Sequence, residues 1–255
     1  MGVVGKLFVV LALLEIARRL FCVWWNSPKQ IGKRGEKSIA RRLRKGLPNE
    51  YRILDDVYLP LADGTTTQID HVVVSQYGIF VVESKSYSGW IFGNESSREW
   101  TQIIYHEKNR FQNPMRQNYR HICALAENLG LDKLYFRGVV AFTGGCEFKT
   151  EMPEGVVYSR SAAKYIRSFR TPMIKLGQVG DVASAIVEWQ GTLSESQIRN
   201  HVANLKKRHS AVRKGEVPRC PYCGGEMVLR KRKNDGAAFY GCSAYPKCRG
   251  IVNVV

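Results

Sequence analysis

Two β-rich runs, residues 67–75 and 79–85, constrain the fold of this chain more than any other feature. Both runs are rich in valine and isoleucine, and only a short turn that contains Gly78 separates them. A connection this short joins antiparallel strands, because parallel strands need a crossover of about a dozen or more residues. The two runs therefore predict a β-hairpin, and the length of its loop decides which side chains meet.

Three functional side chains meet in this hairpin if residues 76–77 form a two-residue loop. Asp70 then stands opposite Glu83, and opposed side chains have Cβ atoms about 4.5–5.5 Å apart. Glu83 and Lys85 share a face, since side chains alternate along a strand. Asp70, Glu83 and Lys85 can thus converge on one point, whereas a three-residue loop would shift the register by one residue and make the convergence diagonal.

The chemistry of this group is that of a metal-dependent phosphodiester hydrolase. Two opposed carboxylates repel each other unless a cation lies between them, and two oxygen ligands with open positions suit Mg²⁺. Lys85 could orient or activate metal-bound water and offset developing phosphate charge. The alternative is a pair of surface carboxylates with Lys85 as their salt-bridge partner. The same face, however, carries the apolar side chains of Val72, Val74, Ile79 and Val81.

The stretches GEKSIARRL, DDVYLP, GTTTQIDHVVVSQYGIFVVESKSYSGWIFG and FQNPMRQNYRHI together resemble the nuclease-related domain family. That family belongs to the PD-(D/E)xK nuclease-like superfamily. The resemblance covers residues 32–145 and implies an α/β, restriction-endonuclease-like fold with a mixed central sheet flanked by helices. It also implies a nuclease that uses Mg²⁺ or Mn²⁺.

The resemblance assigns candidate roles residue by residue. Asp70 matches the metal-binding aspartate of the superfamily, and Glu83 and Lys85 match its E-x-K element. Glu36 matches an acidic residue that often joins the metal site, and Gln117 matches a polar position on a helix of related nucleases. For Glu36 and Gln117 the alternatives are a first-turn helix charge and a solvated amide.

Nearby polar and aromatic residues have simpler expected roles. His71 points away from the carboxylates, and packing or a hydrogen bond is expected of it rather than catalysis. Tyr87, Trp90 and Trp100 have rings that could stack on bases. Core or edge packing is the expectation for these three aromatic residues.

The remaining body of the chain alternates predicted strands and helices. Helices are expected at 32–46, 114–129, 161–169, 181–190 and 194–209, and further strands at 51–60, 90–93, 100–105 and 137–145. We divide the chain into a hydrophobic helix (1–28), the nuclease-related domain (32–145), a helical extension (146–212) and a cysteine-rich tail (213–255).

The tail contains four cysteines with the spacing of a zinc site: Cys220, Cys223, Cys242 and Cys248. Four thiolates in two close pairs suit a closed, tetrahedral Zn²⁺ site. A segment this short buries little core, so zinc must contribute much of its folding free energy, about 10–16 kcal/mol by analogy with zinc fingers. Unliganded reduced cysteines are the alternative.

The sequences CPYCGGEMVLRK and YPKC resemble the C-terminal zinc fingers of bacterial type IA topoisomerases. The resemblance implies a small zinc ribbon that binds single-stranded DNA without catalysis. Nothing else resembles a topoisomerase, so that activity is not expected. Residues 213–250 contain nine Lys+Arg and three acids, a net charge of +6. Candidate DNA contacts are Arg230, Lys231, Arg232, Lys233 and Tyr240.

The amino terminus predicts attachment to a membrane. Sixteen of residues 7–25 are apolar, but Glu15, Arg18 and Arg19 interrupt them. These charges disfavour spanning, although they can pair on one helical face. Spanning, interfacial attachment and packing of this helix on its own domain all remain open. Basic residues follow Trp24 and Trp25, which predicts that the domain lies on the cytoplasmic side of a bacterial inner membrane.

The net charge of +17 indicates a polyanionic partner. The leading hypothesis is a metal-dependent nuclease acting on DNA, held near the membrane, with a zinc-ribbon DNA-binding tail. The alternatives are a non-catalytic DNA-binding protein with a nuclease-like scaffold, and an interaction protein whose basic surface contacts acidic lipid. Oligomeric state does not follow from the sequence.

Overall fold

The computed structural model describes residues 3–61, 65–191, 217, 219–220, 225–231, 238–248 and 250–253, with side chains from Leu11 onward apart from those of Ala12 and Asn253. The described residues fall into two units, one within 1–193 and one within 194–255. The predicted helix at 194–209 lies outside the described residues.

The first unit alternates helices and strands. Its helices are α1 (Val3–Trp25), α2 (Pro28–Gly46), α3 (Pro114–Leu129), α4 (Ala162–Ser168) and α5 (Val179–Gly191). Its strands are β1 (Arg52–Pro60), β2 (Thr66–Ser75), β3 (Gly78–Ser86), β4 (Gly89–Phe92), β5 (Glu99–Ile104), β6 (Glu107–Gln112), β7 (Phe136–Thr143), β8 (Cys146–Phe148) and β9 (Val156–Tyr158).

A five-stranded mixed sheet forms the centre, in the order β1-β2-β3-β7-β9. β1, β2 and β3 are antiparallel, whereas β3, β7 and β9 run parallel. Helices α3 and α5 pack on one face, with a core that includes Val72, Val74 and Val81. Helices α2 and α4 cover the other face through a core that includes Phe80 and Val82. The predicted α/β fold with a mixed central sheet is therefore confirmed.

The predicted register of the β2–β3 hairpin is also confirmed. Ser75 pairs with Gly78 and His71 with Val82, so the loop contains two residues. Gly78 has a φ of +123°, and a Cβ there would lie 2.9 Å from the carbonyl oxygen of Tyr135. Glycine is therefore the residue that this turn accommodates.

Helix α3 begins and ends where its sequence indicates. The side chain of Asn113 accepts a hydrogen bond from the backbone N–H of Met115, and Pro114 occupies the first turn. Gly130 ends the helix in the left-handed conformation, with a φ of 63°. These are standard N-cap, N1 and C′ preferences. They fix the start of the helix that carries Gln117.

Four short strands form a second sheet, which the sequence did not predict. β6-β5-β4-β8 pack around the fully buried Trp100, whose ring lies 6.0 Å from that of Phe142 in β7. The predicted helical extension at 146–212 is corrected here, because β8 joins this second sheet and β9 joins the central one. Strands of only three residues carry too little periodicity to be recognised in a sequence.

Helix α1 packs little on the rest of its unit. Its large apolar side chains between Leu11 and Trp25 are 44–74% exposed, which contradicts packing of this segment on its own domain. Glu15 pairs with Arg18 at 2.7 Å and with Arg19 at 3.1 Å, as predicted. Among the described helices, none is long and apolar enough to cross a membrane.

The second unit is small and built around a three-stranded antiparallel sheet. Its strands are β10 (Met227–Lys231), β11 (Ala238–Cys242) and β12 (Ile251–Asn253). Met227 pairs with Cys242 across β10 and β11. Both residues are buried together with Cys220, so the core of this unit is largely sulfur.

Candidate active site and zinc centre

The candidate site lies where strands β2 and β3 separate. The paired ladder ends at His71 and Val82, one position before Asp70 and Glu83 would meet. The Asp70 carboxylate instead accepts a hydrogen bond from the backbone N–H of Ser84, at 2.7 Å. On the other side of β2, Asp70 has no paired partner in β1, where Asp56 adopts a φ of 52°. The hairpin thus opens at the residue predicted to bind metal.

Lys85 holds two neighbours in place. Its Nζ lies 2.6 Å from Oε1 of Glu83 and 2.9 Å from Oε1 of Gln117. Gln117 comes from helix α3, so helix and strand meet at the ammonium group. The structure therefore brings Glu83, Lys85 and Gln117 together.

His121 joins the site, and the sequence analysis missed it. It lies one turn after Gln117 on α3, with Nδ1 3.1 Å from Oγ1 of Thr67. Its buried Nε2 lies 3.3 Å from Oε2 of Glu83, but the angle between the two groups is not that of a hydrogen bond. The i, i+4 spacing from Gln117 is the feature that could have revealed it, because such residues share one helical face.

The two carboxyl groups differ in their electrostatic surroundings. Burial and the neighbouring charge of Glu83 hold the pKa of Asp70 well above its usual range. Burial also works to raise the pKa of Glu83, but His121 and Lys85 outweigh it and hold that pKa below its usual value. For Lys85, burial opposes the ammonium, yet Glu83 raises its pKa. The site thus has one carboxyl group whose ionised form is stabilised and one whose neutral form is favoured.

Glu36 approaches the same edge from the opposite face of the sheet. Burial and the charge of Asp56 raise its pKa, and repulsion from Glu83 adds to the rise. The adjacent Gly35 allows this approach, since a Cβ there would lie 2.8 Å from Cβ of Ser86. The acidic character around the site therefore includes a third carboxyl group.

His71 lies on the face opposite the carboxylates, as predicted. Its Nδ1 lies 2.7 Å from Oδ1 of Asp55 and its Nε2 3.2 Å from Oγ of Ser84. Asp55 in turn pairs with Arg44 of helix α2. Because the backbone of Ser84 binds Asp70, this hydrogen-bonded chain supports the position of Asp70 from behind.

Three aromatic residues near the site occupy different environments. Trp100 is fully buried in the core, and the ring of Tyr87 stacks on that of Phe111 with the ring centres 4.5 Å apart. Both residues therefore pack within the protein, as expected. Trp90 departs from that expectation, because it is 48% exposed and Lys149 lies over its ring. It faces outward because β4 has one face open to solvent.

The donor set fits a hard divalent cation. Among the described residues, no three carboxylate or imidazole donors lie within 4.8 Å of one another at this edge. Mg²⁺ usually takes one or two protein carboxylates and keeps several waters, so a full protein cage is not required. A cation bound there would favour the ionised form of Asp70 and offset the repulsion between Asp70 and Glu83.

The tail contains a thiol cluster of the expected kind. The sulfur atoms of Cys220, Cys242 and Cys248 lie within 4.8 Å of one another, with Cys220 and Cys248 3.5 Å apart. Tetrahedral ligands at Zn–S distances of about 2.3 Å have sulfur atoms about 3.8 Å apart. The three thiols therefore fit a structural zinc ion. Cys223 lies outside the described residues.

The predicted DNA contacts of the tail fall on different faces. Arg230 is exposed beside Tyr245, with its guanidinium 6.0 Å from that ring. Tyr240 packs against the cysteine core, and Lys231 is exposed on that side of β10. Arg232 and Lys233 lie outside the described residues. Tyr245, rather than Tyr240, is the exposed ring beside a cation.

Comparison with known proteins agrees with both units. The family model described as "Nuclease-related domain" matches residues 31–143, and the model "Topoisomerase DNA binding C4 zinc finger" matches residues 217–254. An uncharacterized protein of Bacillus anthracis is 38% identical over 164 residues, which cover 63% of this chain and 77% of that protein. The chain belongs to the nuclease-related domain family and has a topoisomerase-type zinc ribbon at its C-terminus.

Two DNA topoisomerases match shorter stretches of the chain. DNA topoisomerase 1 of Pyrococcus horikoshii is 35% identical over 54 residues, 21% of this chain and 8% of that enzyme. DNA topoisomerase 1 of Methanothermobacter thermautotrophicus is 32% identical over 75 residues, 29% of this chain and 10% of that enzyme. The similarity thus supports a nuclease-like DNA-binding protein with structural zinc.

We expect one tightly bound Zn²⁺ per chain, lost on Cys220→Ser or Cys242→Ser because a tetrahedral site loses a thiolate. Elemental analysis of the purified full chain checks this. Cys22→Ser, which changes an exposed cysteine on α1, is the control and should retain zinc. Wild-type protein without zinc would contradict the assignment.

We expect His121→Phe to lower the affinity for Mn²⁺ about 10–100-fold, the usual effect of losing a group that orients a metal ligand. Titration calorimetry on the zinc-loaded full chain measures it. The control is His106→Phe, an exposed histidine in the turn between β5 and β6. Unchanged Mn²⁺ affinity in His121→Phe would show that His121 does not position Glu83.

Proposed function

We propose that this protein is a metal-dependent nuclease that hydrolyses phosphodiester bonds in DNA and uses its zinc ribbon to hold the substrate. The observation that carries the proposal is the buried Glu83–Lys85 pair at the opened end of the hairpin, beside Asp70, on which the charges of both Glu83 and Lys85 act. Membership of the nuclease-related domain family supports it. The resemblance of the tail to a DNA-binding zinc finger supports DNA as the substrate.

Each residue of the site has a defined task in this proposal. Asp70 and Glu83 would hold Mg²⁺ or Mn²⁺, which supplies Lewis acidity and lowers the pKa of water when bound. Lys85 is oriented by Glu83 and Gln117, so that its ammonium can offset negative charge on the reacting phosphate. Hydrolysis adds water to phosphorus and breaks one P–O bond, which leaves a phosphomonoester and a hydroxyl end.

One observation favours a second candidate function, a non-catalytic DNA-binding protein on a nuclease-like scaffold. Glu83 is already neutralised by Lys85 at 2.6 Å, so this part of the site is stable without a metal ion. The burial of Asp70 beside the charge of Glu83 favours the catalytic proposal instead, because a divalent cation bound by both carboxylates would offset their repulsion.

We further propose that the tail prefers single-stranded DNA. Arg230 and the 59% exposed Tyr245 form a cation beside an aromatic ring, which is the arrangement that binds phosphate and stacks on an unpaired base. A duplex keeps its bases inside the stack and offers this ring no base face.

Helix α1 is proposed to attach the protein to the cytoplasmic side of the bacterial inner membrane. Glu15, Arg18 and Arg19 lie on one side of the helix. Leu20 and Trp24 follow each other by one turn on the opposite side and are exposed. In this proposal the apolar remainder of the helix inserts into the membrane surface, while the charges on one side stay with the lipid headgroups.

Asp70→Ala should abolish Mg²⁺- or Mn²⁺-dependent cleavage of single- and double-stranded DNA, because a metal ligand is lost. Lys85→Ala should leave Mn²⁺ affinity largely intact and slow the chemical step, since Lys85 acts on the phosphate. Cleavage assays and calorimetry on the same preparations separate the two effects.

Asp132→Ala is the matched control for these substitutions, because Asp132 caps a short 3-10 helix away from the site. It should cleave DNA like the wild type. Cleavage by Asp70→Ala at the wild-type rate would refute the proposed site. Binding of DNA without cleavage in the wild type would favour the scaffold function.

Tyr245→Ala should weaken binding of single-stranded DNA by about 1–3 kcal/mol while zinc is retained, because a stacking ring is lost. Tyr240→Ala should instead destabilise the tail, since that ring packs on the cysteine core.

Arg230→Gln should flatten the salt dependence of single-stranded DNA binding by about 0.7 in the log–log slope. Fluorescence anisotropy with a labelled oligonucleotide measures all three, and unchanged affinity on deletion of 216–255 would contradict DNA binding by the tail.

A further inference from the structure

The solvent face of helix α2 carries a row of basic residues. Helix α2 contains eight Lys and Arg residues and one acid, Glu36. Ile39 and Leu43 mark the buried side, and Glu36 lies near that side. On the opposite side, Lys37, Arg41 and Lys45 follow each other at four-residue spacing. We call these three exposed residues the basic row.

Among the residues that the structure describes, the basic row has no partner. Lys37, Arg41 and Lys45 form no ion pair or hydrogen bond with any residue that the structure describes. Like charges one helical turn apart destabilise a helix by about 0.2–0.5 kcal/mol for each pair. The row therefore presents uncompensated positive charge that an external polyanion can neutralise.

Helix α4 extends this basic surface. It lies against the end of α2, where a Cβ at Gly46 would meet Cβ of Ala163 at 2.6 Å. Lys164 and Arg167 project from α4 into solvent, while Ile166 is buried. Two adjacent helices thus present cations on the face that covers one side of the central sheet.

Helix α1, which lies next to the basic row, indicates which kind of polyanion the row binds. Helix α1 directly precedes α2, and Arg34 of α2 lies over the ring of Trp25 at 4.5 Å. The exposed apolar side chains of α1 therefore lie next to the cations of α2. Duplex DNA offers phosphates but no apolar phase for α1, whereas an anionic bilayer offers both. One weak apolar anchor also needs a second attraction, such as a basic patch, for stable attachment.

We propose that the basic row is a docking surface for anionic lipid headgroups. It acts together with α1 and rests on the proposed attachment of α1, but it is independent of nuclease activity. The row adds selectivity for acidic lipid to an anchor that by itself inserts into any fluid bilayer. Docking through α2 also fixes the side of the central sheet that faces the membrane, since α2 and α4 cover only that side.

The experiment measures binding of the full chain to vesicles of pure phosphatidylcholine and to vesicles that contain phosphatidylglycerol. The variant is Lys37→Gln/Arg41→Gln/Lys45→Gln, and each cation near an acidic surface is worth about fivefold in affinity. We expect a loss on the order of a hundredfold on acidic vesicles and little change on neutral ones. Solvent-face substitutions of this kind leave the fold intact.

The matched control removes three exposed cations elsewhere: Lys108→Gln/Arg110→Gln/Lys175→Gln. It should bind both kinds of vesicle like the wild type. Leu20→Glu/Trp24→Glu should lose binding to both kinds, which tests the α1 anchor separately.

Three results would overturn the proposal. The first is wild-type binding of the basic-row variant to acidic vesicles, which would leave the α1 anchor standing. The second is an equal loss in both triple variants, because net charge alone would then explain the effect. The third is unchanged vesicle binding with a large loss of duplex DNA affinity, which would assign the row to DNA.

Discussion

Burial of acidic groups at the end of an apolar hairpin is the constraint on which the site depends. The centre of the sheet excludes water, so a carboxylate placed at its edge must find a cation or hydrogen-bond donors nearby. Glu83 finds Lys85 at 2.6 Å, while Asp70 receives only the backbone N–H of Ser84 among the contacts that the structure describes. The difference between these two carboxyl groups defines where a divalent cation would bind.

Other elements of the first unit contact that edge of the sheet and support the side chains there. Helix α3 brings Gln117 and His121 to one side, and the chain from Arg44 through Asp55 and His71 braces Ser84 on the other. Both faces of the sheet therefore contribute to one short segment of β3. This explains why a helix as far away in sequence as α2 affects the position of Asp70.

Much of this arrangement follows from the sequence, because short loops leave few alternatives. The two-residue turn fixed the hairpin register. The alternation of side chains along each strand gave the common face of Glu83 and Lys85 and the opposite faces of Asp70 and His71. The separation of β2 and β3 at Asp70, and the positive φ of Asp56 in β1 opposite it, could not be predicted, since no local pattern indicates either. His121 was missed because a single histidine on a helix is usually a packing residue. Trp90 was expected to pack but is exposed, and Tyr240 was expected to contact DNA but packs on the cysteine core. In small sheets the exposure of a side chain depends on which face other parts of the chain cover, and a single strand sequence does not show this.

The most direct test of the central claim is a crystal of the full chain soaked in Mn²⁺ and analysed by anomalous diffraction. The account predicts a manganese peak bonded to carboxylate oxygens of both Asp70 and Glu83, in addition to the zinc peak at the tail cysteines. The zinc peak serves as an internal reference for occupancy. A strong zinc peak with no manganese between Asp70 and Glu83 would contradict the assignment of this edge as a metal-dependent active site.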